Sequence, residues 1–310
     1  MAMQQEALEA PLADESVVEE PGLARKPLSR PALVWQRLRR MPRFWVGFGI
    51  FIALVLMAFV APLFYPFSVT DRDPYNMNMG PTTLHWFGTN AIGQDIYAQT
   101  LSGLQKSLII GMIAGPAATL IAAFIGAAAG YIGGWTDRTL SWMIHLLLVI
   151  PSFYIFVLLS PLVKGLSWLA LTIFLAAFSW MIMAQVVRNQ TRSLRNRDFV
   201  RAARYMGMSS GGILRRHIIP NIASLLIIDA TLGVVAAIMA ETSLSYFGFG
   251  VQKPEISLGN LLADGASAAV TRPWLFVFPA GVLIILLFAI SLVGDALRDA
   301  IDPTSGNNRD

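Results

Sequence analysis

Six long apolar runs constrain the fold of this chain more than any other feature. They cover, approximately, residues 44–65, 103–131, 139–162, 167–187, 221–245 and 274–295. A helix of about 20 apolar residues spans a hydrocarbon core roughly 30 Å thick, and each run reaches that length. Hydrophobic residues make up 55% of the sequence and charged residues 14%, which is too apolar for a soluble domain of 310 residues. The runs therefore predict an all-α polytopic membrane protein with six transmembrane helices.

The basic residues predict which ends of these helices face the cytoplasm. If the N-terminus lies inside, 18 of the 23 Lys and Arg residues fall on the inner side and five on the outer side. Cytoplasmic loops carry such an excess of positive charge. Eight arginines between Arg188 and Arg216 form the strongest part of this signal. Both termini are therefore expected to be cytoplasmic, and the net charge of +4 reflects topology rather than nucleic-acid binding.

The two ends of the chain are predicted to lie outside the transmembrane domain. Residues 1–30 contain six acidic side chains before the first basic one, a composition typical of a disordered cytoplasmic tail. Residues 31–43 are predicted to form a basic interfacial segment. The six-helix domain follows over 44–303, and 304–310 form a C-terminal tail. The first apolar run is long enough to span the membrane, so no cleavable signal peptide is expected.

A strongly polar stretch, residues 198–221, separates the fourth and fifth runs and is called the polar segment below. Asp198 is expected to cap a short helix over residues 199–206. Gly207 is expected to end that helix in the left-handed conformation, which glycine adopts without a steric penalty. Isolated helices shorter than about 12 residues are marginal in water, so this helix needs a partner surface.

A second short helix is predicted in the same segment. Ser209 or Ser210 can cap it, and it is expected to run to His217. Pro220 would then open the next element. The pair of helices has the chemistry of a docking surface, because it is basic, short and placed between two membrane spans.

The polar segment resembles the "EAA" loop of bacterial ABC-importer permeases. The resemblance lies in Ala202 and Ala203, in Gly207 four residues on, and in Pro220 thirteen residues beyond that. The sequence HIIPN at 217–221 is similar to the end of this loop in peptide permeases. In that family the loop is a coupling helix that lies in a cleft of a separate ATPase subunit.

The resemblance assigns six residues to ATPase coupling. They are Arg201, Ala202, Ala203, Gly207, His217 and Pro220. Arg201 departs from the family pattern, which has a glutamate at this position, and its effect on the polar contact to the ATPase is left open. On the predicted helix, Ala202 and Ala203 are expected to share a face with Met206.

Three further stretches resemble the permeases of the oligopeptide, dipeptide and nickel importers. Residues 84–95 are similar to the family run H-x-(F/L)-G-T-(D/N)-x-x-G-(R/Q)-D, residues 241–250 to EASLSFLGLG, and residues 294–303 to GDGLRDALDP. The resemblance extends over about 35–303. It implies a type I ABC-importer permease fold and the second, C-type, member of a permease pair.

The resemblance also implies partners and a function. The expected assembly contains a second homologous permease subunit, two ATPase subunits and an extracytoplasmic substrate-binding protein, and it moves peptides across the bacterial cytoplasmic membrane. ATP and Mg would be bound by the ATPase subunits, and no cofactor, metal or catalytic residue is expected in this chain. None of its four lysines follows a glycine, so a Walker A motif is absent from the sequence.

Two acidic residues of the fifth run are candidate groups of a translocation path. Asp229 lies well inside the run, where an ionisable side chain costs roughly 2.5–3.5 kcal/mol on insertion scales. It could meet a substrate amine, or it could pair with a neighbour such as His145. Glu241 lies near the outer end of the run, matches a family residue and is expected to support the outer gate region. His145 is itself expected to be a packing histidine.

The second run contains two pairs of glycines at helical spacing. They are Gly111 with Gly115, and Gly126 with Gly130. Glycines four residues apart let two helix backbones approach closely in lipid. We expect them to serve packing within the permease pair.

Other functions remain as alternatives. A proton-coupled secondary transporter would use Asp229 or Glu241 as a proton relay, and a channel or scaffold subunit would be independent of ATP. Neither accounts for the basic polar segment. An intramembrane serine protease is disfavoured, because Ser267 falls in a predicted outer loop and the last helix offers no histidine base. Within the importer class, nickel and glutathione are alternative substrates to peptides.

Overall fold

The computed structural model describes residues 30–163 and 168–301. Almost all of the predicted N-terminal tail and the whole of 304–310 lie outside the described residues. The described chain is built from helices and irregular loops, and its β pairing is limited to one isolated bridge between Thr89 and Asp95. The helices are α1 (Arg30–Leu38), α2 (Pro42–Phe59), α3 (Ala61–Phe64), α4 (Ile96–Ile132), α5 (Gly134–Val149), α6 (Ser152–Val163), α7 (Trp168–Phe178), α8 (Met181–Arg195), α9 (Asp198–Tyr205), α10 (Ser210–Ile213), α11 (Ile219–Tyr246), α12 (Leu258–Ala266) and α13 (Trp274–Ile301), with a π-helical turn, Leu214–Ile218, between α10 and α11.

The membrane spans match the six predicted runs with one change of shape. Five described helical stretches are long and apolar enough to cross a membrane: Pro42–Phe59, Ile96–Ile132, Trp168–Arg195, Ser210–Tyr246 and Trp274–Ile301. The third run supplies a sixth span only as a bent pair, α5 with α6, whose axes differ by 84°. The bend lies at Pro151, and Ile150 before it is extended, as steric contact with a following proline favours. The third predicted span, over about 139–162, is therefore a broken helix and not a continuous one.

Two other helix boundaries differ from the prediction for local reasons. Helix α4 begins at Ile96 rather than near 103, because the Asp95 carboxylate caps it and accepts the N–H of Ala98 at 2.8 Å. The fourth span continues past 187 to Arg195, so the first arginines of the basic stretch are helical. The arginines therefore begin inside a rigid element and not in a loop.

Helix α4 lies at the centre of the bundle, where glycines let its neighbours approach. A Cβ atom added to Gly111 or Gly115 would lie 2.5 Å from atoms of α11. A Cβ atom added to Gly126 or Gly130 would lie 2.4 or 2.6 Å from backbone carbonyl oxygens of α8. Close packing at these glycines is therefore observed within this single chain, and packing across the permease pair stays a prediction.

The predicted interfacial segment forms α1 and the start of α2. On α1, Leu38 is buried against Ala296 and Ala300 near the end of α13, while Trp35 is 53% exposed. The Arg37 guanidinium donates to the carbonyl oxygen of Ala300 at 3.3 Å. The first helix is therefore amphipathic and is fixed to the last one.

Candidate functional site

The polar segment begins where α8 ends. A turn joins the two elements, and the N–H of Arg197 donates to the carbonyl oxygen of Leu194 at 3.0 Å. The cap position of α9 is occupied by Arg197, and Asp198 lies in the first helical turn. The prediction that Asp198 caps this helix was wrong. Its negative charge instead lies near the positive end of the helix dipole, where a carboxylate stabilises a helix.

Gly207 ends α9 as predicted, with a φ of +81°. The N–H of Met208 donates to the carbonyl oxygen of Ala203 at 3.1 Å, and the N–H of Gly207 donates to that of Arg204 at 3.0 Å. These two bonds form a Schellman motif, in which the left-handed residue is usually glycine. A Cβ atom added to Gly207 would meet no atom within 4 Å. The glycine is required by backbone conformation and not by lack of space.

The second predicted helix begins as expected but does not end at His217. The hydroxyl of Ser209 accepts the N–H of Gly212 at 3.2 Å and caps α10. Helix α10 then passes through the π-helical turn into α11 without a break. Pro220 lies in the first turn of α11. The end of the polar segment is therefore the first part of the fifth span.

Apolar side chains hold the polar segment against the end of α4. The buried members of this cluster are Tyr131, Val200, Ala203, Ile213 and Ile218. Ala203 is only 1% exposed, so it faces the core of this chain, whereas Ala202 and Met206 are exposed. The prediction that these three residues share one face was wrong for Ala203. Of the other residues predicted for coupling, Arg201, Gly207 and Pro220 are exposed and His217 is half-buried.

A groove of about 680 Å³ runs between the end of α8 and α9. Its lining consists of Tyr131, Arg192, Arg195, Asn196, Val200, Arg201, Arg204 and Tyr205. No carboxylate lines the groove within the described part of the chain. Arg195, Arg201 and Arg204 form no ion pair with any described residue. The surface is therefore suited to anionic or hydrogen-bond-accepting groups of a partner.

Asp229 lies half-buried in α11 and contacts α4. The hydroxyl of Thr119 donates to Asp229 Oδ2 at 2.6 Å. The alternative pairing with His145 is not observed. His145 is exposed and forms no hydrogen bond within the described chain, so the expectation of a packing histidine was also wrong. A role for Asp229 in the translocation path stays a prediction.

Glu241 is fully buried between α11 and α4. Its carboxylate accepts hydrogen bonds from the hydroxyls of Ser107 at 3.1 Å and Ser245 at 2.7 Å. No cation among the described residues pairs with it. The two serines join it to both helices near the Tyr246 end of α11. Its supporting role at the outer gate stays a prediction.

The long loop, residues 65–95, contains a polar cluster that we call the histidine cluster: Tyr65, Asp73, His85 and Asp95. His85 and Asp95 are buried, and Tyr65 and Asp73 are half-buried. His85 is 1% exposed, with Nδ1 at 2.7 Å and Nε2 at 3.4 Å from carboxylate oxygens of Asp95 and Asp73, respectively. The Tyr65 hydroxyl donates to Asp95 at 2.8 Å. Burial, together with the Asp95 carboxylate, raises the pKa of Tyr65 above its ordinary range. The tyrosine therefore keeps its proton and donates a hydrogen bond in this cluster.

Glycine and amide groups complete the long loop. Gly93 has a φ of +75°, and a Cβ atom added to it would lie 2.2 Å from the carbonyl oxygen of Asp73. The side chain of Asn76 donates to Asp73 at 2.8 Å and the N–H of Tyr75 at 3.0 Å, and both bonds lower the pKa of Asp73. The family run at 84–95 is thus a folded unit, with partners that the sequence analysis did not assign.

Comparison with known proteins places this architecture in a family. Residues 107–306 match the family described as binding-protein-dependent transport system inner membrane component, and residues 29–81 match the N-terminal transmembrane domain of oligopeptide transport permease C. The chain belongs to this permease family. It is a multi-pass inner membrane protein and a transport subunit of the ABC-transporter class.

Three relatives illustrate the similarity, each an oligopeptide transport system permease protein OppC. This chain is 48% identical over 282 residues to the relative from Mycobacterium tuberculosis, and the aligned region covers 91% of this chain and 97% of the relative. It is 38% identical over 278 residues to that of Haemophilus influenzae, with 87% and 88% covered. It is 34% identical over 294 residues to that of Bacillus subtilis, with 93% and 96% covered.

In this permease the predicted site residues fall into two separate places. Arg201, Ala202 and Gly207 are brought together on the exposed side of α9. Asp229 and Glu241 lie within the bundle on α11, each bonded to α4. The acidic pair is therefore not part of the surface formed by the polar segment.

Proposed function

We propose that this permease is a transmembrane subunit of an ATP-driven importer that translocates di- or oligopeptides, and that the polar segment couples it to separate ATPase subunits. The observation that carries the proposal is the exposed α9 element, closed by Gly207 and bordered by the arginine-lined groove. Arginines that have no acidic partner among the described residues are suited to contacts with another protein.

Peptides are the substrate class that the relatives favour. All three relatives above are named oligopeptide transport permeases. We assign peptides to this permease on that basis, with nickel and glutathione as alternatives within the same group. A separate extracytoplasmic binding protein would deliver the substrate, so specificity would not be set by this chain alone.

The proposed orientation has both termini and the polar segment in the cytoplasm. The distribution of arginines supports it, since cytoplasmic loops carry the excess of positive charge. A second homologous permease would complete the path, and ATP with Mg would be bound by two ATPase subunits. Movement of an ATPase cleft would then carry α9, and with it the two spans that flank the polar segment.

The flanking spans connect this movement to the membrane interior. Helices α8 and α11 both pack against glycines of α4. Asp229 lies at the α11–α4 contact, where a substrate amine would find a carboxylate held by Thr119. Glu241 would support the outer gate through its two serine partners.

The first test is purification of the tagged chain from its native host in a gentle detergent. We expect a second permease, Walker A ATPases and vanadate-sensitive ATPase activity in the purified fraction. Reconstitution with the co-purified binding protein should give ATP-dependent uptake of labelled peptides, and nickel and glutathione serve as competing substrates. Uptake of nickel or glutathione in place of peptides would reassign the substrate but not the coupling.

A lone chain without ATPase partners would contradict the importer proposal. Uptake that persists without ATP and collapses with the proton gradient would instead support a secondary transporter. In that case Asp229 and Glu241 would become candidate proton-relay groups.

A further inference from the structure

A buried carboxylate lies where the second span turns into the third. Gly133 and Gly134 make the corner between α4 and α5 with φ values of +73° and +57°. Asp137 follows one turn later and is only 7% exposed. Neither the family resemblance nor the translocation path accounts for an acidic residue at this position.

Two arginines of α8 hold the Asp137 carboxylate. Arg188 donates through Nε to one oxygen and through Nη2 to the other, the latter at 3.0 Å. Arg192 donates through Nη2 to the second oxygen. Such bidentate guanidinium–carboxylate contacts are stronger than neutral hydrogen bonds and fix the direction as well as the distance. The start of α5 is therefore tied to the last turns of α8.

A third arginine extends this contact to the end of α8. Arg188, Arg192 and Arg195 are spaced by four and three residues, which places them on one face of the helix. A Cβ atom added to Gly133 would lie 2.9 Å from Nη1 of Arg195. The whole arginine face of α8 thus abuts the corner between α4 and α5, immediately before the chain enters the polar segment.

Arg192 belongs to two sites at once. It bonds to Asp137, and its half-exposed side chain also lines the groove beside α9 together with Arg201 and Arg204. An anionic group that entered the groove would compete with Asp137 for the same guanidinium. Binding of an anion in the groove and the ion pair that fixes α5 therefore depend on the same guanidinium group.

The element held by Asp137 is the bent third span. Helix α5 turns by 84° into α6, and discontinuous spans are typical of the moving or binding parts of transporters. Just after the bend, Phe153 of α6 contacts Phe247, next to the end of α11, with ring centroids 5.7 Å apart. The third span therefore contacts α8 at its start, through Asp137, and the residue that follows α11 at its bend.

We propose that Asp137 is a positioning residue that transmits movement of the polar segment to the bent third span through Arg188 and Arg192. This inference rests on the proposed coupling function. Asp137 is buried, so loss of its arginine partners would leave its charge uncompensated, and the contact resists separation of α5 from α8.

The test compares transport with ATP hydrolysis in the assembled complex. The complex is purified through this tagged chain, reconstituted in proteoliposomes and assayed for peptide uptake and ATPase activity on the same sample. For Asp137→Asn we expect the number of peptides moved per ATP to fall about tenfold, because an amide cannot hold two guanidinium groups. ATPase activity without the binding protein should stay within about twofold of wild type, since the polar segment itself is unchanged.

Companion variants separate a positioning role from a structural one. Asp137→Glu keeps the carboxylate and should restore part of the ratio of peptides moved to ATP hydrolysed. Arg192→Gln, a change at a half-exposed residue, should lower it about threefold, and the double variant with Asp137→Asn should be no worse than Asp137→Asn alone. Arg192→Gln also serves as the test if Asp137→Asn fails to assemble.

Asp299→Asn is the matched control. It breaks the ion pair between Asp299 and Arg43 at the same end of the bundle, where both side chains are 40% exposed, and it should leave the ratio unchanged. A wild-type ratio in Asp137→Asn would overturn the inference, as would an equal loss in the control or a loss that only follows the amount of assembled complex. Absence of ATP-dependent uptake in the wild type would instead refute the proposed function.

Discussion

In the long loop the aspartates and the histidine find partners within the loop or at the start of α4, whereas in the polar segment the arginines face outward. His85 lies between Asp73 and Asp95, and each of these carboxylates accepts at least two hydrogen bonds. Arg201 and Arg204 have no acidic partner in the described chain. A loop that satisfies its own polar groups is a self-contained unit, and one that does not is completed by another molecule.

The variant with the largest expected effect disrupts the turn at the end of α9 without unfolding the bundle. In Gly207→Asp, a side chain must adopt the left-handed backbone at a cost of about 1–2 kcal/mol and places an anion at the turn. We expect loss of coupling, with uptake reduced roughly 100-fold, while assembly of the bundle is retained. Peptide uptake and substrate-stimulated ATPase activity in proteoliposomes measure this.

Gly211→Asp is the control for that variant. Gly211 is also exposed, and a Cβ atom added there meets nothing within 4 Å, but its backbone is helical. An aspartate in the first turn of α10 suits the helix dipole. Equal loss in both variants would show that added charge, and not the turn, is responsible, and wild-type coupling in Gly207→Asp would refute the coupling assignment.

The second prediction concerns a variant that destabilises the long loop. It should lower stability and leave coupling unchanged, the opposite of Gly207→Asp. Asp95→Asn removes the charge that His85, Tyr65 and the start of α4 share, and charged hydrogen bonds of this kind contribute about 2 kcal/mol. We expect a lower Tm and faster hydrogen exchange over residues 65–95, with the ratio of uptake to ATP hydrolysis unchanged. Asp71→Asn, at an exposed site of the same loop, is the control and should leave exchange of the histidine cluster unaltered. A changed ratio in Asp95→Asn would mean that the long loop takes part in coupling.

A third prediction concerns Asp229, which lies between the two regions. Asp229→Leu removes the carboxylate held by Thr119 and should lower uptake about fivefold, a change of about 1 kcal/mol. Assembly should be intact, as measured by co-purification. Asp229→Asn keeps the shape and the hydrogen bond, so it distinguishes charge from packing. Unchanged uptake of every accepted substrate in Asp229→Leu would make this residue structural.

The smallest effect is a pH dependence of the long loop. Because hydrogen bonds from Asn76 and Tyr75 lower the pKa of Asp73, its contribution to stability is complete above the ordinary aspartate pKa of 3.8. It is lost as the pH falls through the lowered value. Hydrogen exchange at residues 73–76, measured from pH 5 downward in steps of about one pH unit, should show local opening only below pH 3.8 in the wild type and at every pH in Asp73→Asn. Opening already at neutral pH in the wild type would contradict this.

The sequence predicted those features that depend on nearby residues. The length of each apolar run predicted the spans, Gly207 predicted the end of α9, and Ser209 predicted the cap of α10. These outcomes depend on chain length and local hydrogen bonds, which the order of residues largely determines. Assignment of the chain to its family was also possible, because the similar runs are distributed over most of its length.

Features that depend on tertiary contacts were missed or wrong. Ala203 is buried because it packs in a hydrophobic cluster with Ile213 and Ile218. Helical spacing alone does not reveal this cluster. Asp229 found Thr119 on α4 rather than His145, since the packing of glycines on α4 determines which helices are neighbours. Asp137 and Arg188 are 51 residues apart, so their contact has no local signal. The bend at Pro151 did have a local sequence signal, which is the proline itself.

The glycine contacts of α4 also limit how the polar segment can vary in length. Because α8 and α11 are both seated on one helix, the chain between them starts and ends at fixed points. One inserted residue within α9 or α10 would rotate the following side chains by about 100° and turn Ile213 or Val200 out of its apolar seat. In the long loop, by contrast, residues 68–72 form hydrogen bonds only with one another within the described chain. Natural insertions and affinity tags should therefore be accepted there and rejected between α8 and α11.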